Sequence, residues 1–447
     1  MNRPHPGQPG FTRLGLASRR VHPPADFVPR FPSRRRSCLY RLIALMVGLI
    51  FACGLLEIGA RIIFAAQIRA FQQNVANDPH DVYNLFEPDA ELGWKHRPGA
   101  EIVADDLPDQ PPFTVRINAQ GLYDLDYTYE RPAGGFRVLV LGDSYVEAVQ
   151  VPLPARSFQG LEDRYQARWG SVPYEIVEMG VARYSPAQYY RVYQLEGQRY
   201  APDVVIAVIY LGNDVEEMHP ATGHQVVVGL AERPYQYTLE DGQLVALEAS
   251  QWHPPSGSSR VSARLPLGRW LHLWLYRHSV LYYLLIEEQI DTPAARALGI
   301  TGGDIPLAAR FQVSYQDPIY AQVWPVFEAV IVVLGDAAVT NGSEFAVVLA
   351  PEMYAVHEDW YFADYPEAAS RRDRFDPYKI ERQVSAMLDA HGIPYFSLTP
   401  YLRAAAQASD EALYYHDNTH WTPAGHRVVG EALDGWFNQM GWAAAQP

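Results

Sequence analysis

The chain has 447 residues, 48% hydrophobic and 13% aromatic, which is ample apolar material for a folded core. Its formal net charge is −15, yet residues 1–41 hold nine arginines, no lysine and one acidic residue. That segment therefore carries +8 and the remainder −23. This composition excludes a largely disordered protein, and the acidic remainder offers no electrostatic footprint for nucleic acid.

The N-terminal region contains two contrasting segments. Residues 1–41 are arginine-rich and proline-rich, which predicts an extended tail without a packed core. Residues 42–56 form an unbroken apolar run, and the apolar pattern continues far enough, to Ala66, to cross a bilayer. We therefore expect a single-pass signal anchor at 42–66. A cleaved signal peptide and a buried core helix are the alternatives.

The arginines before the apolar run also predict an orientation. The positive-inside rule places the N-terminus in the cytoplasm and the remainder outside, which predicts an inner-membrane protein with an extracytoplasmic domain. The only cysteines, Cys38 and Cys53, lie at or inside the anchor segment. Beyond it, we expect neither a disulfide nor a cysteine nucleophile.

A change of sequence pattern near residue 135 predicts the main domain. Residues 67–134 read as a connector with short strands, after which short apolar runs alternate with helical stretches. This alternation predicts a doubly wound, flavodoxin-like α/β/α sandwich with a parallel sheet over residues 135–440. The five predicted strands lie at 136–141, 174–179, 204–210, 344–350 and 393–397.

Residues 215–320 are too long for one crossover connection, so we expect a lid-like insertion there. The insertion contains a hairpin signal at Asp241–Gly242 and an aromatic, amphipathic stretch at 270–288.

Polar residues follow three of the predicted strands, where functional loops of an open parallel sheet gather. Ser144 follows the first strand in "LGDSYV", and Asn213 follows the third in "LGNDVEE". Ser144 could be a helix cap or a nucleophile, and Asn213 a turn residue or an oxyanion donor. After the second strand, Ser185–Pro186 predicts a helix start and leaves backbone N–H groups of the loop 180–184 exposed.

A second helix start is predicted near the C-terminus in "HDNTHWTPAGH". Thr422 followed by Pro423 marks the start and holds His420 on a short loop. Asp417 lies three residues upstream, close enough to reach the imidazole Nδ1–H.

The blocks "GDSY", "GVARYS", "GND" and "DNTH", in this order, resemble the SGNH (GDSL) hydrolase family over residues 135–430. The "N-x-x-G-L" segment at 118–122 and the anchor resemble its membrane-tethered bacterial branch. The resemblance implies that Ser144 is the nucleophile and an N–H donor, and that His420 is the general base. It also implies that Asp417 orients the imidazole and that Asn213 is a side-chain oxyanion donor.

One position departs from the family pattern. The second block usually ends in a glycine whose N–H points into the oxyanion hole, but Arg183 stands there, with Gly180 three residues earlier. The N–H survives this change if the backbone conformation tolerates a side chain. The arginine would then narrow the cleft or bind an anionic substrate.

No metal or other cofactor is expected. His357, His416 and His426 resemble ligands singly, but no clustered spacing supports a metal site, so we expect solvated or structural roles.

The sequence thus predicts an exported, membrane-anchored serine esterase acting on an acylated carbohydrate or lipid, with O-acetyl as the expected group. An O-acyltransferase that modifies an envelope polysaccharide is the alternative, since "THW" near the histidine resembles such enzymes. A non-catalytic envelope scaffold is a third reading, and the intact Ser, Asn, Asp and His set argues against it.

Overall fold

The computed structural model describes most of the chain, and it divides into two compact units, residues 1–58 and 59–447. The described residues are 34–77, 80–218, 236–247, 318–364 and 372–443, apart from residues 81, 106, 109 and 374. Most of the predicted insertion, including the aromatic stretch at 270–288, lies outside them.

Helix α1 (Arg34–Asn77) contains the predicted anchor. Its Tyr40–Gly59 segment has a mean hydropathy of 2.4, and none of it is buried within the structure. Such a segment is a candidate membrane anchor or signal sequence. Within the described part of the chain, Val323–Thr340 is also long and apolar enough, but 39% of it is buried, as in a core helix.

Two antiparallel hairpins precede the main sheet. The first pairs β1 (Phe86–Asp89) with β2 (Gly93–His96). The second pairs β3 (Glu101–Ala104) with β4 (Phe113–Arg116). Several of their side chains, Trp94 among them, belong to the main hydrophobic core, so this part of the chain packs as part of the domain.

The central sheet has five parallel strands and confirms the predicted fold class. They are β5 (Phe136–Gly142), β6 (Tyr174–Gly180), β7 (Val204–Tyr210), β10 (Glu344–Ala350) and β11 (Tyr395–Ser397). Their spatial order is β11-β10-β7-β5-β6. This is the flavodoxin-like order, whose topological switch point lies between β5 and β7. The hairpin predicted at Asp241–Gly242 is confirmed, with β8 (Tyr237–Glu240) paired to β9 (Gln243–Ala246).

Helices cover both faces of the sheet because alternate strand residues point to opposite sides. On β5, Leu139 and Leu141 enter one hydrophobic cluster and Val138 and Val140 the other. The helices after α1 are α2 (Ser144–Glu147), α3 (Ser157–Trp169), α4 (Pro186–Leu195), α5 (Asp214–Glu217), α6 (Pro318–Thr340), α7 (Met353–Val356), α8 (Glu358–Asp364), α9 (Lys379–His391), α10 (Thr399–Ala408) and α11 (Pro423–Met440). Helices α4, α6 and α9 contribute to the first cluster, and α3, α10 and α11 to the second.

Candidate active site

A tight turn from β5 into α2 presents Ser144. A Cβ on Gly142 would lie 2.2 Å from a Val146 methyl carbon, so glycine permits the turn. The Asp143 carboxylate accepts a hydrogen bond of 2.9 Å from the Tyr145 N–H and caps the short helix. Ser144 is therefore the first residue of α2, half-buried beyond the carboxyl end of β5.

Ser144 and His420, 276 residues apart in sequence, are in hydrogen-bond contact. The distance from Ser144 Oγ to His420 Nε2 is 2.8 Å. The imidazole Nδ1 lies 2.8 Å from the Asn418 backbone oxygen and 2.5 Å from its side-chain oxygen. Because both groups facing Nδ1 are acceptors, Nδ1 carries the proton. Nε2 is then free to accept the Ser144 hydroxyl proton, as a general base requires.

Tyr145 contacts the loop that carries His420. Its ring stacks on the His420 ring at a centroid distance of 5.1 Å, and its hydroxyl donates a 2.6 Å hydrogen bond to the Thr419 carbonyl oxygen. Burial lowers the pKa of His420, the Asn418 carbonyl opposes this, and the Arg183 charge adds to the lowering. The imidazole is therefore neutral at pH 7. Sequence reasoning missed Tyr145, although it directly follows the serine.

Asp417 does not contact His420 in this structure, contrary to the expectation from the D-x-x-H spacing. The N–H groups of Asn418 and Thr419 both donate to the Tyr415 carbonyl oxygen, and Thr419 has a left-handed φ of 66°. This tight turn directs the Asp417 side chain outward, where it is fully exposed and lies 3.5 Å from His416 Nδ1. The position next to His420 Nδ1 is occupied by Asn418.

Arg183 stands in the loop after β6, in a conformation that glycine favours. Its φ is 62°, the left-handed region, which costs a residue with a Cβ about 1 kcal/mol. The resemblance placed this arginine at a glycine position, and the observed φ explains why glycine suits it. The Arg183 side chain is exposed, and its charge acts on His420 and Glu217.

Asn213 follows β7 on the other side of the topological switch point and precedes α5. Its side-chain amide donates one hydrogen bond of 2.9 Å to Glu217 Oε1. An amide nitrogen has two N–H donors, so one remains for another acceptor. Glu217 is a partner of Asn213 that sequence reasoning missed, although the i,i+4 spacing on one helix could have indicated it.

Gly180, named with the oxyanion-hole residues, ends β6 beside Gly142 of β5. A Cβ on Gly180 would lie 2.1 Å from the Glu147 backbone nitrogen. The glycine thus lets β6 approach the backbone of α2 closely. This close packing is the role that the structure shows for Gly180.

Three buried carboxyl groups lie around the ends of β5 and β7. Burial raises the pKa of Asp143 to about 7. Burial, followed by the charge of Asp143, raises the pKa of Asp214 and of Glu217 well above the ordinary range. Burial thus favours the neutral form of Asp214 and Glu217. In that form these acids do not oppose a negative charge forming at Ser144.

The helix starts that frame the site are confirmed. Helix α4 begins at Pro186 with Ser185 in a capping box, and α11 begins at Pro423, where the Thr422 hydroxyl accepts from the Gly425 N–H at 3.2 Å.

The three histidines considered as metal ligands have other contacts. His357 stacks on Trp360 at 4.0 Å, and His416 Nε2 lies 3.1 Å from an Asp364 carboxylate oxygen. His426 is buried and meets the Ser157 N–H at 3.3 Å. Burial lowers the pKa of His426 to about 3, which keeps it neutral. Among the residues described by the structure, no group of His, Cys, Asp and Glu side chains could hold a metal ion.

Comparison with solved structures finds esterases and related hydrolases. An acetyl xylan esterase from Geobacillus stearothermophilus is 10% identical, with a TM-score of 0.34 over 70% of this chain and 97% of that one. A lipolytic protein of the G-D-S-L family from Desulfitobacterium hafniense is 11% identical, with a TM-score of 0.33 over 67% of this chain and 98% of that one. An alpha/beta hydrolase from the metagenome of Lake Arreo, Spain, is 13% identical, with a TM-score of 0.35 over 71% and 99%. No family model and no curated protein matches the sequence.

Proposed function

We propose that the protein is a membrane-anchored serine esterase of the SGNH type that removes acyl groups from an esterified carbohydrate or lipid outside the cytoplasm. The observation that carries the proposal is the 2.8 Å contact between Ser144 Oγ and His420 Nε2, with acceptor oxygens facing the other imidazole nitrogen. A serine so paired with a neutral, oriented imidazole is the activated nucleophile of acyl-transfer enzymes.

In the proposed reaction, Ser144 Oγ bonds to the ester carbonyl carbon while its proton passes to His420 Nε2. The carbonyl π electrons move to the oxygen, which becomes the oxyanion. When the tetrahedral intermediate collapses, the leaving alkoxide takes the proton from His420 and an acyl-Ser144 ester remains. Water then repeats the sequence, with His420 as its base, and releases the acid and free Ser144.

Three donors are proposed for the oxyanion: the backbone N–H of Ser144, the backbone N–H of Arg183 and the second amide hydrogen of Asn213. They follow β5, β6 and β7, which are neighbours in the sheet. Within the described residues, neither of the two backbone N–H groups donates to an acceptor. Preorganised donors of this kind supply much of the rate enhancement in acyl transfer.

The orienting role expected for Asp417 would require the turn at 415–419 to rearrange. In the described conformation, the two Asn418 oxygens perform this role for His420. The proposal therefore rests on Ser144 and His420, with Asn418 as the group that fixes the imidazole tautomer.

The location and the substrate class come from the N-terminal sequence and from the family resemblance. The apolar segment Tyr40–Gly59 behind an arginine-rich tail supports an inner-membrane anchor with the domain on the extracytoplasmic side. O-acetyl groups are the proposed acyl class, and no cofactor is required by the chemistry above.

The test is an assay of the full chain in detergent with acetylated xylan oligosaccharides, O-acetylated peptidoglycan fragments and short aryl esters. Each substrate is assayed with and without a sugar whose hydroxyl group can accept the acyl group. We expect acid release that Ser144→Ala abolishes. Product acetylated on the acceptor, in place of free acid, would instead assign the acyltransferase alternative. Turnover that persists in Ser144→Ala would refute the nucleophile.

A further inference from the structure

The hairpin β1–β2 contacts the Arg183 loop, which is the segment between β6 and α4. The indole Nε1–H of Trp94 donates a 3.0 Å hydrogen bond to the Ala182 carbonyl oxygen. The Tyr184 hydroxyl donates in return to the Trp94 carbonyl oxygen at 2.5 Å, and the two rings are 5.7 Å apart. Trp94 is 2% exposed, so these contacts form in the core.

The Ala182 carbonyl belongs to the same peptide unit as the Arg183 N–H. A trans peptide is planar, and its C=O and N–H point in opposite directions. Fixing the carbonyl therefore also fixes the direction of the N–H. The hydrogen bond at the oxygen polarises the amide, which makes the N–H a stronger donor.

This peptide also needs an external constraint. Arg183 has a left-handed φ, and its N–H has no acceptor within the described residues. The backbone bond within the loop, from the Tyr184 N–H to the Val181 carbonyl oxygen at 3.1 Å, involves neither the C=O nor the N–H of the Ala182–Arg183 peptide. Trp94 provides one.

We propose that Trp94 is a positioning residue of the ester-hydrolysing site, holding the Ala182–Arg183 peptide so that the Arg183 N–H faces the developing oxyanion. This inference rests on the proposed function.

A second contact anchors the same strand to the nucleophile helix. His96, two residues along β2, meets Glu147 of α2 at 2.6 Å, and both side chains are buried. The imidazole Nδ1 of His96 lies 3.1 Å from the Gly121 carbonyl oxygen. Strand β2 thus contacts both the Arg183 loop and the helix that begins at Ser144. The 67–134 region, expected to be a connector, contributes to the architecture of the site.

The test compares Trp94→Phe with Trp169→Phe. Trp169 is a matched control because it is also buried, at 8% exposure, and its Nε1–H also donates to a backbone carbonyl oxygen, that of Ala443, at 3.2 Å. For Trp94→Phe we expect kcat on a short neutral aryl ester to fall about tenfold, with KM within about twofold, since one hydrogen bond that supports the transition state is lost. For Trp169→Phe we expect unchanged kcat.

A second readout separates positioning from general loosening of the fold. A trifluoromethyl ketone forms a tetrahedral adduct with a serine nucleophile, so its affinity should weaken in Trp94→Phe by the same factor as kcat. Should Trp94→Phe fail to fold, incorporation of 3-benzothienylalanine at position 94 keeps the ring shape and removes only the N–H. The same tenfold loss of kcat is expected for that variant.

Equal kcat and equal ketone affinity for the two Phe variants would overturn the inference, as would full kcat with the benzothienyl residue. Failure of the proposed function would look different, because the wild-type chain would then show no turnover or Ser144→Ala would retain it.

Discussion

Replacing the acceptor at His420 Nδ1 with an anion should change the pH dependence of the enzyme in a defined direction. Nδ1 faces two neutral oxygens of Asn418, at 2.8 and 2.5 Å, while the Asp417 carboxylate is fully exposed and directed elsewhere. Asn418→Asp would place a carboxylate at hydrogen-bond distance from the imidazole. An opposite charge this close favours the protonated ring and raises its pKa.

The magnitude follows from the solvent exposure of the contact. A neighbouring opposite charge shifts a pKa by about 1–3 units, and a partner in solvent gives the lower end of that range. Asn418 is exposed and His420 half-buried, so we expect a shift of about one unit. The rising limb of kcat/KM against pH reports the free-enzyme imidazole, and it should move to higher pH by that amount.

Asp417→Asn is the companion variant. Because Asp417 does not touch His420 in this structure, we expect kcat/KM to stay within about threefold of wild type, with the rising limb unmoved. Loss of the orienting carboxylate of a serine–histidine–aspartate triad costs a factor of about 10⁴. A loss of that order in Asp417→Asn, with no shift in Asn418→Asp, would refute the reasoning and show that the turn at 415–419 rearranges in the working enzyme.

Three further outcomes are expected. Asn213→Ala should lower kcat by about 10²–10³ with KM nearly unchanged, because one oxyanion donor is lost, and full kcat on short esters would contradict that role. Burial raises the pKa of Glu162 to about 7. The stabilising contribution of Glu162 is thus complete below the unfolded-state pKa and is lost as pH rises through about 7. The Tm should therefore fall less steeply from acid to mildly alkaline pH in Glu162→Gln than in the wild type, and an unchanged slope would count against this. A reporter fused to the C-terminus should be active in cells if it is of a type that works only outside the cytoplasm. Activity of a C-terminal reporter that works only in the cytoplasm would exclude the proposed topology.

The sheet could be predicted because its strands are short, β-branched runs buried on both faces. Ser144 and Asn213 could be placed because both directly follow such runs, at the sheet edge where loops meet. The proximity of Ser144 and His420 was predicted from the order of the four motifs, because no local pattern links residues that are 276 positions apart.

Other parts of the site depend on geometry that the pattern does not encode. Which of Asp417 and Asn418 faces the imidazole is set by the left-handed φ of Thr419, an uncommon conformation for a residue with a Cβ. Trp94 contacts Ala182, which is 88 residues away in the sequence. From the sequence alone, a tryptophan in a short hairpin is interpreted as an ordinary core residue. Neither contact has a periodic signal.

The central claim, that Ser144 attacks the ester, is tested most directly by trapping the acyl-enzyme. The full chain is mixed with an excess of a short aryl ester, quenched in acid during the first turnover and digested for mass spectrometry. We expect a burst of aryl alcohol matching the enzyme concentration and an acyl group on the peptide that contains Ser144, both absent in Ser144→Ala. An acyl group on another residue, or a Ser144→Ala variant that still shows the burst, would contradict the account.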